Sequence, residues 1–327
     1  MKQAIKQIGR KVLTWPPLYR HFQRRALHAQ PVTILCYHTL RADNDPLESW
    51  LALRMGDFAA QVTMLQKTYD IVSLDAALRP AEKGQRPRAV LTFDDGERAM
   101  HDLLLPFVEQ RQLPVTIYVA TGQIESGQPY WFDRVINALQ GPRRVQIDLR
   151  AEGLGQFDVG GTQGKARWDQ IAPVLEALKT CPEGRRDELA DKIVGQVAPQ
   201  DIGLTPAAPM TPAQLQRVAT SPFVTIGAHT HGHELLDQLP LDQARASIAR
   251  SQELLTTWTG QAIRHFAYPN GNYTPALMRC LEDLGFASAT ILEDRLAGAS
   301  DPLRALPRIS VGRFDALRRL QLRLVGI

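Results

Sequence analysis

The sequence predicts an α/β protein built on a parallel sheet, either closed as a (β/α) barrel or open and doubly wound. From about residue 31, short β-branched runs alternate with stretches of helical periodicity. No hairpin signal joins one run of that alternation to the next, so consecutive strands run the same way. Acidic and histidine-rich clusters stand directly after predicted strands, at the edge where such sheets gather ligands.

Taken in order, VTILCYH (32–38) has the composition of a buried strand. Phe58, Val62, Leu65 and Tyr69 keep the three- and four-residue spacing of a helix face. DIVSL (70–74) and AVLTF (89–93) read as strands, followed by a helix around Glu97–Gln110 and a strand at PVTIYVAT (114–121). The alternation resumes with FVTIGAH (223–229), a helix from roughly Leu241 to Trp258, and HFAYP (265–269). A helix over Pro275–Leu284 and a last strand near Phe286–Thr290 complete it. The stretch at about 125–215 differs and reads as an insertion in a barrel loop. Its Gly-rich part (141–164) contains the alternating VQIDLR, which predicts small antiparallel strands; helices are expected near 166–180 and 183–198, then a Pro-rich linker (199–212). Thr211, Pro212 and Gln214 predict a capping box. The expected organisation is a basic arm (1–30) and an interrupted barrel (31–327).

A chain of 327 residues that is 44% hydrophobic can bury a substantial core and is not disordered over most of its length. Its charge is uneven. Residues 1–42 hold eight cations (Lys2, Lys6, Arg10, Lys11, Arg20, Arg24, Arg25, Arg41) and no acid. Removing these eight from 38 leaves 30 cations against 34 anions, so the body is mildly acidic and a nucleic-acid coat is excluded. Ile5, Ile8, Val12 and Trp15 fall on one side of a helical wheel with Lys2, Lys6 and Arg10 opposite, a pattern suited to an anionic membrane surface or to packing on the barrel. The stretch from Leu317 to Leu324 is a second basic-apolar segment. Cys36, Cys181 and Cys280 make no disulfide framework and favour a reducing compartment. No run is long enough to span a membrane, and VLTWPPLY is short and broken by Pro16-Pro17, which disfavours a secretory signal. The expected location is cytoplasmic, with a peripheral position on the inner membrane and secretion as the alternatives.

Three motifs carry the chemistry. Thr92-Phe93-Asp94-Asp95-Gly96 closes a strand with two adjacent carboxylates that point different ways, so one can bind a cation while the other acts as a base; Asp-Gly alone is also a turn former. Gly227-Ala228-His229-Thr230-His231-Gly232-His233 follows another strand, and one helical turn would bring His229 and His233 to the same side. Two neutral imidazoles and one carboxylate suit a catalytic Zn²⁺ or a similar divalent metal. Phe266-Ala267-Tyr268-Pro269-Asn270-Gly271-Asn272-Tyr273 runs a strand into a turn one unit later.

Together these residues resemble the polysaccharide deacetylase family, carbohydrate esterase family four, over about 31–124 and 216–311. The resemblance implies a distorted (β/α) barrel. It also implies metal-dependent removal of acetyl groups from the N-acetylated sugars of a bacterial surface polysaccharide or its lipid-linked precursor. Asp95, His229 and His233 would bind one divalent ion, Zn²⁺ first, with Co²⁺, Ni²⁺ and Fe²⁺ as alternatives. Asp94 would be the general base. Thr230, Tyr268, Pro269, Asn270 and Arg308 would face the substrate, with a backbone N–H near Asn270 helping to hold the oxyanion.

The sequence departs from the family in two places. It has no Leu-x-x-His near its end, and the Tyr37-His38 opening is instead similar to the branch containing poly-N-acetylglucosamine deacetylases, which implies His38 as general acid. Ala267 stands where the family usually has an arginine, so Arg308 is also the candidate to orient Asp94. His231 is not expected to bind metal, and Trp131-Phe132 suit either a sugar ring or the core. The alternatives are a glycan-binding relative without catalysis, an O-acetyl esterase, and a two-His-one-carboxylate iron oxygenase.

Overall fold

A computed structural model describes residues 12–82, 84–197 and 203–327. Its strands are β1 (Val32–Tyr37), β2 (Thr39–Arg41), β3 (Ala52–Arg54), β4 (Asp70–Ile71), β5 (Arg88–Phe93), β6 (Val115–Val119), β7 (Val145–Leu149), β8 (Gly155–Val159), β9 (Val224–Ala228), β10 (His265–Ala267), β11 (Ser288–Leu292) and β12 (Leu306–Ser310). The order β1-β12-β11-β10-β9-β6-β5, with β5 pairing back to β1, makes a closed barrel of seven parallel strands. β1 and β5 are in register from Val32 opposite Arg88 to Tyr37 opposite Phe93. Both strands are buried from their second residue onward, as expected of a parallel sheet covered on both faces.

Two strand expectations are corrected. The 70–74 run supplies only the two-residue β4, which hangs on β5 outside the ring. Ser73 instead caps a short helix, Leu74–Ala77, by accepting the Ala76 N–H. The ring is closed by β12, where LPRIS carries a proline and a buried arginine and so lacks the apolar signature of a central strand. The helix expected over 97–110 runs from Met100 to Arg111 and begins as a π-turn (Met100–Leu104), because Pro106 has no N–H to continue an α ladder.

The segment between β6 and β9 holds the antiparallel hairpin β7–β8 and helices Trp131–Ala138, Lys165–Lys179 and Glu183–Gln196. These elements enclose their own apolar cluster, including Val135, Ile147, Ile171, Leu178 and Ile193, which also takes in Leu47 and Ala52 from the β1–β3 region. The Thr211–Gln214 capping box is formed. The Lys2–Arg10 stretch of the amphipathic arm lies outside the described residues. Pro16–Leu27 is helical with no buried residue, and Leu317–Arg323 is helical with Leu320 and Leu322 buried. Among the described residues no helix is long and apolar enough to cross a membrane.

Candidate active site

The site forms where β5 and β9 end. Asp94 N–H donates to the Tyr37 carbonyl (3.0 Å), keeping the residue in line with the sheet. Asp95 then takes φ +75° and Gly96 φ +72°, a reversal that turns the two carboxylates toward different partners. A side chain at Gly96 would also stand 2.9 Å from a Val119 methyl. His229 N–H donates to the Val119 carbonyl (3.1 Å), fixing the second motif beside the first. The imidazoles of His229 and His233 meet 4.9 Å apart, through a loop with φ +66° at Thr230 and +62° at His233 rather than through the helical turn expected from their spacing. Left-handed backbone at non-glycine residues concentrates here, as strain does at functional sites.

Asp95 Oδ1 lies 3.6 Å from His229 Nε2 and 3.3 Å from His233 Nε2. The His229 Nδ1–H is directed at the Ala267 carbonyl (2.7 Å), which leaves Nε2 facing the carboxylate as a free lone pair in the neutral form. Asp95 Oδ1 is buried and has no hydrogen-bond partner. Burial would raise the Asp95 carboxyl, but the two imidazoles outweigh it and hold the group well below its ordinary value. Two imidazoles, one tied off at its far nitrogen, and an orphaned anionic oxygen are a donor set that fits a divalent cation. Tyr130 braces the cluster: its hydroxyl donates to the Asp95 carbonyl (2.8 Å), and its ring lies 5.2 Å from that of His233.

Asp94 faces the other way. Arg308, fully buried on β12, grips both of its oxygens through two contacts of 2.7 Å and also donates to Thr92 Oγ1 (3.1 Å). The Cys36 thiol donates to Asp94 Oδ2 (3.4 Å). Burial alone would raise the Asp94 carboxyl, yet the guanidinium holds it below its ordinary value, so it stays ionised. His38, at the end of β1, brings a ring nitrogen within 4.8 Å of the Cys36 sulfur and an Asp94 oxygen. Its imidazole is lowered by burial, with Asp95 and Asp94 pulling the other way.

These groups open into a cleft of about 390 Å³ lined also by Trp50, Trp131, Phe132, Trp168, Leu235 and Asn270. Of the residues expected to face substrate, Asn270 lines the cleft and the rest do not. Thr230, Tyr268, Pro269 and Arg308 are buried, and the Tyr268 hydroxyl donates to the Arg304 carbonyl (3.1 Å). The Tyr268 hydroxyl and the Arg308 guanidinium are thus taken up by protein partners. Gly271 (φ +76°) lets the third motif turn close against Leu292, where an added Cβ would stand 2.5 Å from the Leu292 nitrogen. His231 turns outward to Thr121 Oγ1 (2.9 Å), away from the cluster.

Sequence reasoning missed Cys36, Tyr130, Trp50 and Trp168. None belongs to a motif, and each reaches the site only through the fold. It also missed the buried pair Arg41–Glu97 (3.0 Å), in which Glu97 ties the turn after Asp95 to β2 and receives N–H groups from Ala99 and, across the linker, Ala208.

Residues 190–289 match the family model described as polysaccharide deacetylase, a span that takes in His229, His233 and the third motif but not the Asp94–Asp95 turn. Among solved structures, the chain is similar to the Streptococcus pyogenes deacetylase PplD in complex with acetate, with TM-score 0.60 and 16% identity, over 90% of this chain and 98% of that one. It is similar to IcaB from Ammonifex degensii, with TM-score 0.58 and 18% identity, over 90% and 97%. The BpsB deacetylase domain from Bordetella bronchiseptica follows at TM-score 0.51 and 16% identity, over 86% and 96%. At these identities the likeness speaks for the fold. No curated protein matches.

Proposed function

We propose that this chain, which belongs to the polysaccharide deacetylase family, is a metal-dependent N-deacetylase acting on the N-acetylated sugars of a bacterial surface polysaccharide or its lipid-linked precursor. The observation that carries this is the pairing of two differently tuned carboxylates at one strand end: Asp95 against two imidazoles, Asp94 against a guanidinium. Asp95, His229 and His233 would hold the cation. When bound, a divalent ion supplies Lewis acidity that activates water and polarises an acetyl carbonyl. Asp94, kept ionised and aimed by Arg308, accepts the proton of the attacking water as the new C–O bond forms. His38 delivers a proton to the sugar nitrogen as the C–N bond breaks, so that acetate and the free amine leave. Trp50, Trp131 and Trp168 offer flat apolar faces to the sugar.

The test is acetate release from N-acetylglucosamine oligomers and from lipid-linked N-acetylated sugars by the purified protein. Release should stop on chelation, return on adding Zn²⁺, Co²⁺, Ni²⁺ or Fe²⁺, and be absent in Asp95→Ala. Activity that survives both chelation and Asp95→Ala would remove the metal reading, and release from O-acetylated glycans alone would make the enzyme an esterase. Tight glycan binding with no release, unaltered in His38→Ala, would favour a binding protein.

A further inference from the structure

We propose that the N-terminal helix (Pro16–Leu27) and the C-terminal helix (Leu317–Arg323) together form a docking face for an anionic phospholipid bilayer, on the side of the barrel next to the catalytic mouth. This deepens the proposed function by giving the enzyme a route to a membrane-borne glycan, and its test does not depend on catalysis.

The two helices are joined. The Tyr19 hydroxyl donates to the Gln321 carbonyl (3.2 Å), and Gln23 donates to Thr68 Oγ1 (3.4 Å) at the far end of the Met55–Gln66 helix. Those contacts use one side of the N-terminal helix. The other side presents Arg20, Arg24 and Arg25, all exposed, and none of the three pairs with a carboxylate among the described residues. No acid occurs before Asp43 to neutralise them. Val12 is 56% exposed and Trp15 61% at the start of this helix, while Leu317 is 39% exposed at the start of the other, beside the exposed Arg318.

The course of the chain turns the starts of both helices toward the catalytic end of the barrel. The N-terminal helix leads through Gln30 into Val32, which pairs with Arg88 at the amino end of the barrel, so its own start points toward the opposite, catalytic end. The C-terminal helix begins seven residues after Ser310, which lines the cleft. Exposed arginines together with an exposed tryptophan, valine and leucine on these two segments suit a surface that is anionic at its headgroups and apolar beneath them. A nucleic-acid duplex would use the arginines but leave the apolar residues without a partner, and the acidic body would oppose it.

Co-sedimentation of the full-length protein with vesicles decides the matter. It should bind vesicles of phosphatidylcholine with phosphatidylglycerol, bind pure phosphatidylcholine much less, and dissociate as salt rises. The combined Arg20→Glu, Arg24→Glu and Arg25→Glu variant should lower the partition coefficient on the order of 100-fold or more. Trp15→Ala and Leu317→Ser should each weaken binding several-fold. Circular dichroism verifies folding, and if charge reversal unfolds the chain, the corresponding Arg→Gln variant should show a smaller fall in the same direction. Unchanged partition in the arginine variant, equal binding to neutral vesicles, no effect of Leu317→Ser, or capture by duplex DNA in preference to vesicles would each overturn the proposal. Vesicle binding without acetate release from any N-acetylated sugar would sink the proposed function and leave this face standing.

Discussion

Arg308 forks Asp94 with two 2.7 Å contacts, both groups being almost fully buried. A planar guanidinium fixes the direction of a carboxylate as well as its charge, which an ammonium does not. Arg308→Lys should therefore lower kcat for acetate release by roughly 10- to 100-fold with KM little changed, while Asp94→Asn costs at least about 100-fold. An equal rise in KM would mean instead that the cleft had deformed. His265, at the opposite end of the barrel, offers a pH prediction free of the site. Burial holds its imidazole below the ordinary value, with Asp75 pulling upward, while Nδ1 meets Ser288 Oγ at 2.9 Å. Its folded pKa is thus depressed, so the stability it contributes is present above about pH 6.5, where the unfolded chain also holds it neutral. That contribution is lost as pH falls toward the folded value, because the unfolded chain takes up the proton first. Urea midpoints measured from pH 8 to pH 5 should fall less steeply in His265→Asn than in the parent, and parallel curves would refute the assignment.

Among the elements, the turn after β5 is held by more than its own strand. Glu97 receives Arg41 from β2, the Ala99 N–H from its own turn and the Ala208 N–H from the linker, while Met210 N–H reaches the Gly96 carbonyl. Three separate stretches of chain thereby fix the orientation of Asp94 and Asp95. Arg41→Ala leaves the Glu97 charge buried without its counter-ion and should destabilise the protein by about 3 kcal/mol in denaturant titrations. The double variant Arg41→Met, Glu97→Leu should recover most of that loss, since apolar side chains of similar volume carry no desolvation cost. If the double variant is no better than the single one, the network is needed for packing rather than for charge balance. None of this was legible in the sequence: Arg41 reads as one more cation of the basic N-terminal stretch, and Glu97 as the first residue of a helix.

At the scale of the molecule, the candidate cation ligands join two parts of the ring that are far apart in sequence, Asp95 after β5 and His229 and His233 after β9. A metal that binds the folded chain should raise its thermal midpoint, by an amount equivalent to about 2.7 kcal/mol at 100 times Kd. The rise should vanish in Asp95→Ala and on chelation, and a shift of equal size in that variant would place the metal elsewhere. By itself the sequence determined the α/β class, the capping box and the clustering of Asp94, Asp95, His229 and His233 at strand ends, because each is written in local periodicity or contiguous motifs. Only the tertiary structure decided that β12, with its proline and arginine, closes the barrel in place of the 70–74 run. It alone brought the Cys36 thiol to Asp94 across 58 residues and Trp168 from the 125–215 segment to the same cleft, and it gave the Arg308–Asp94 pairing its two-pronged geometry. Such contacts depend on strand order and on burial shared between distant segments, and neither leaves a period in the chain.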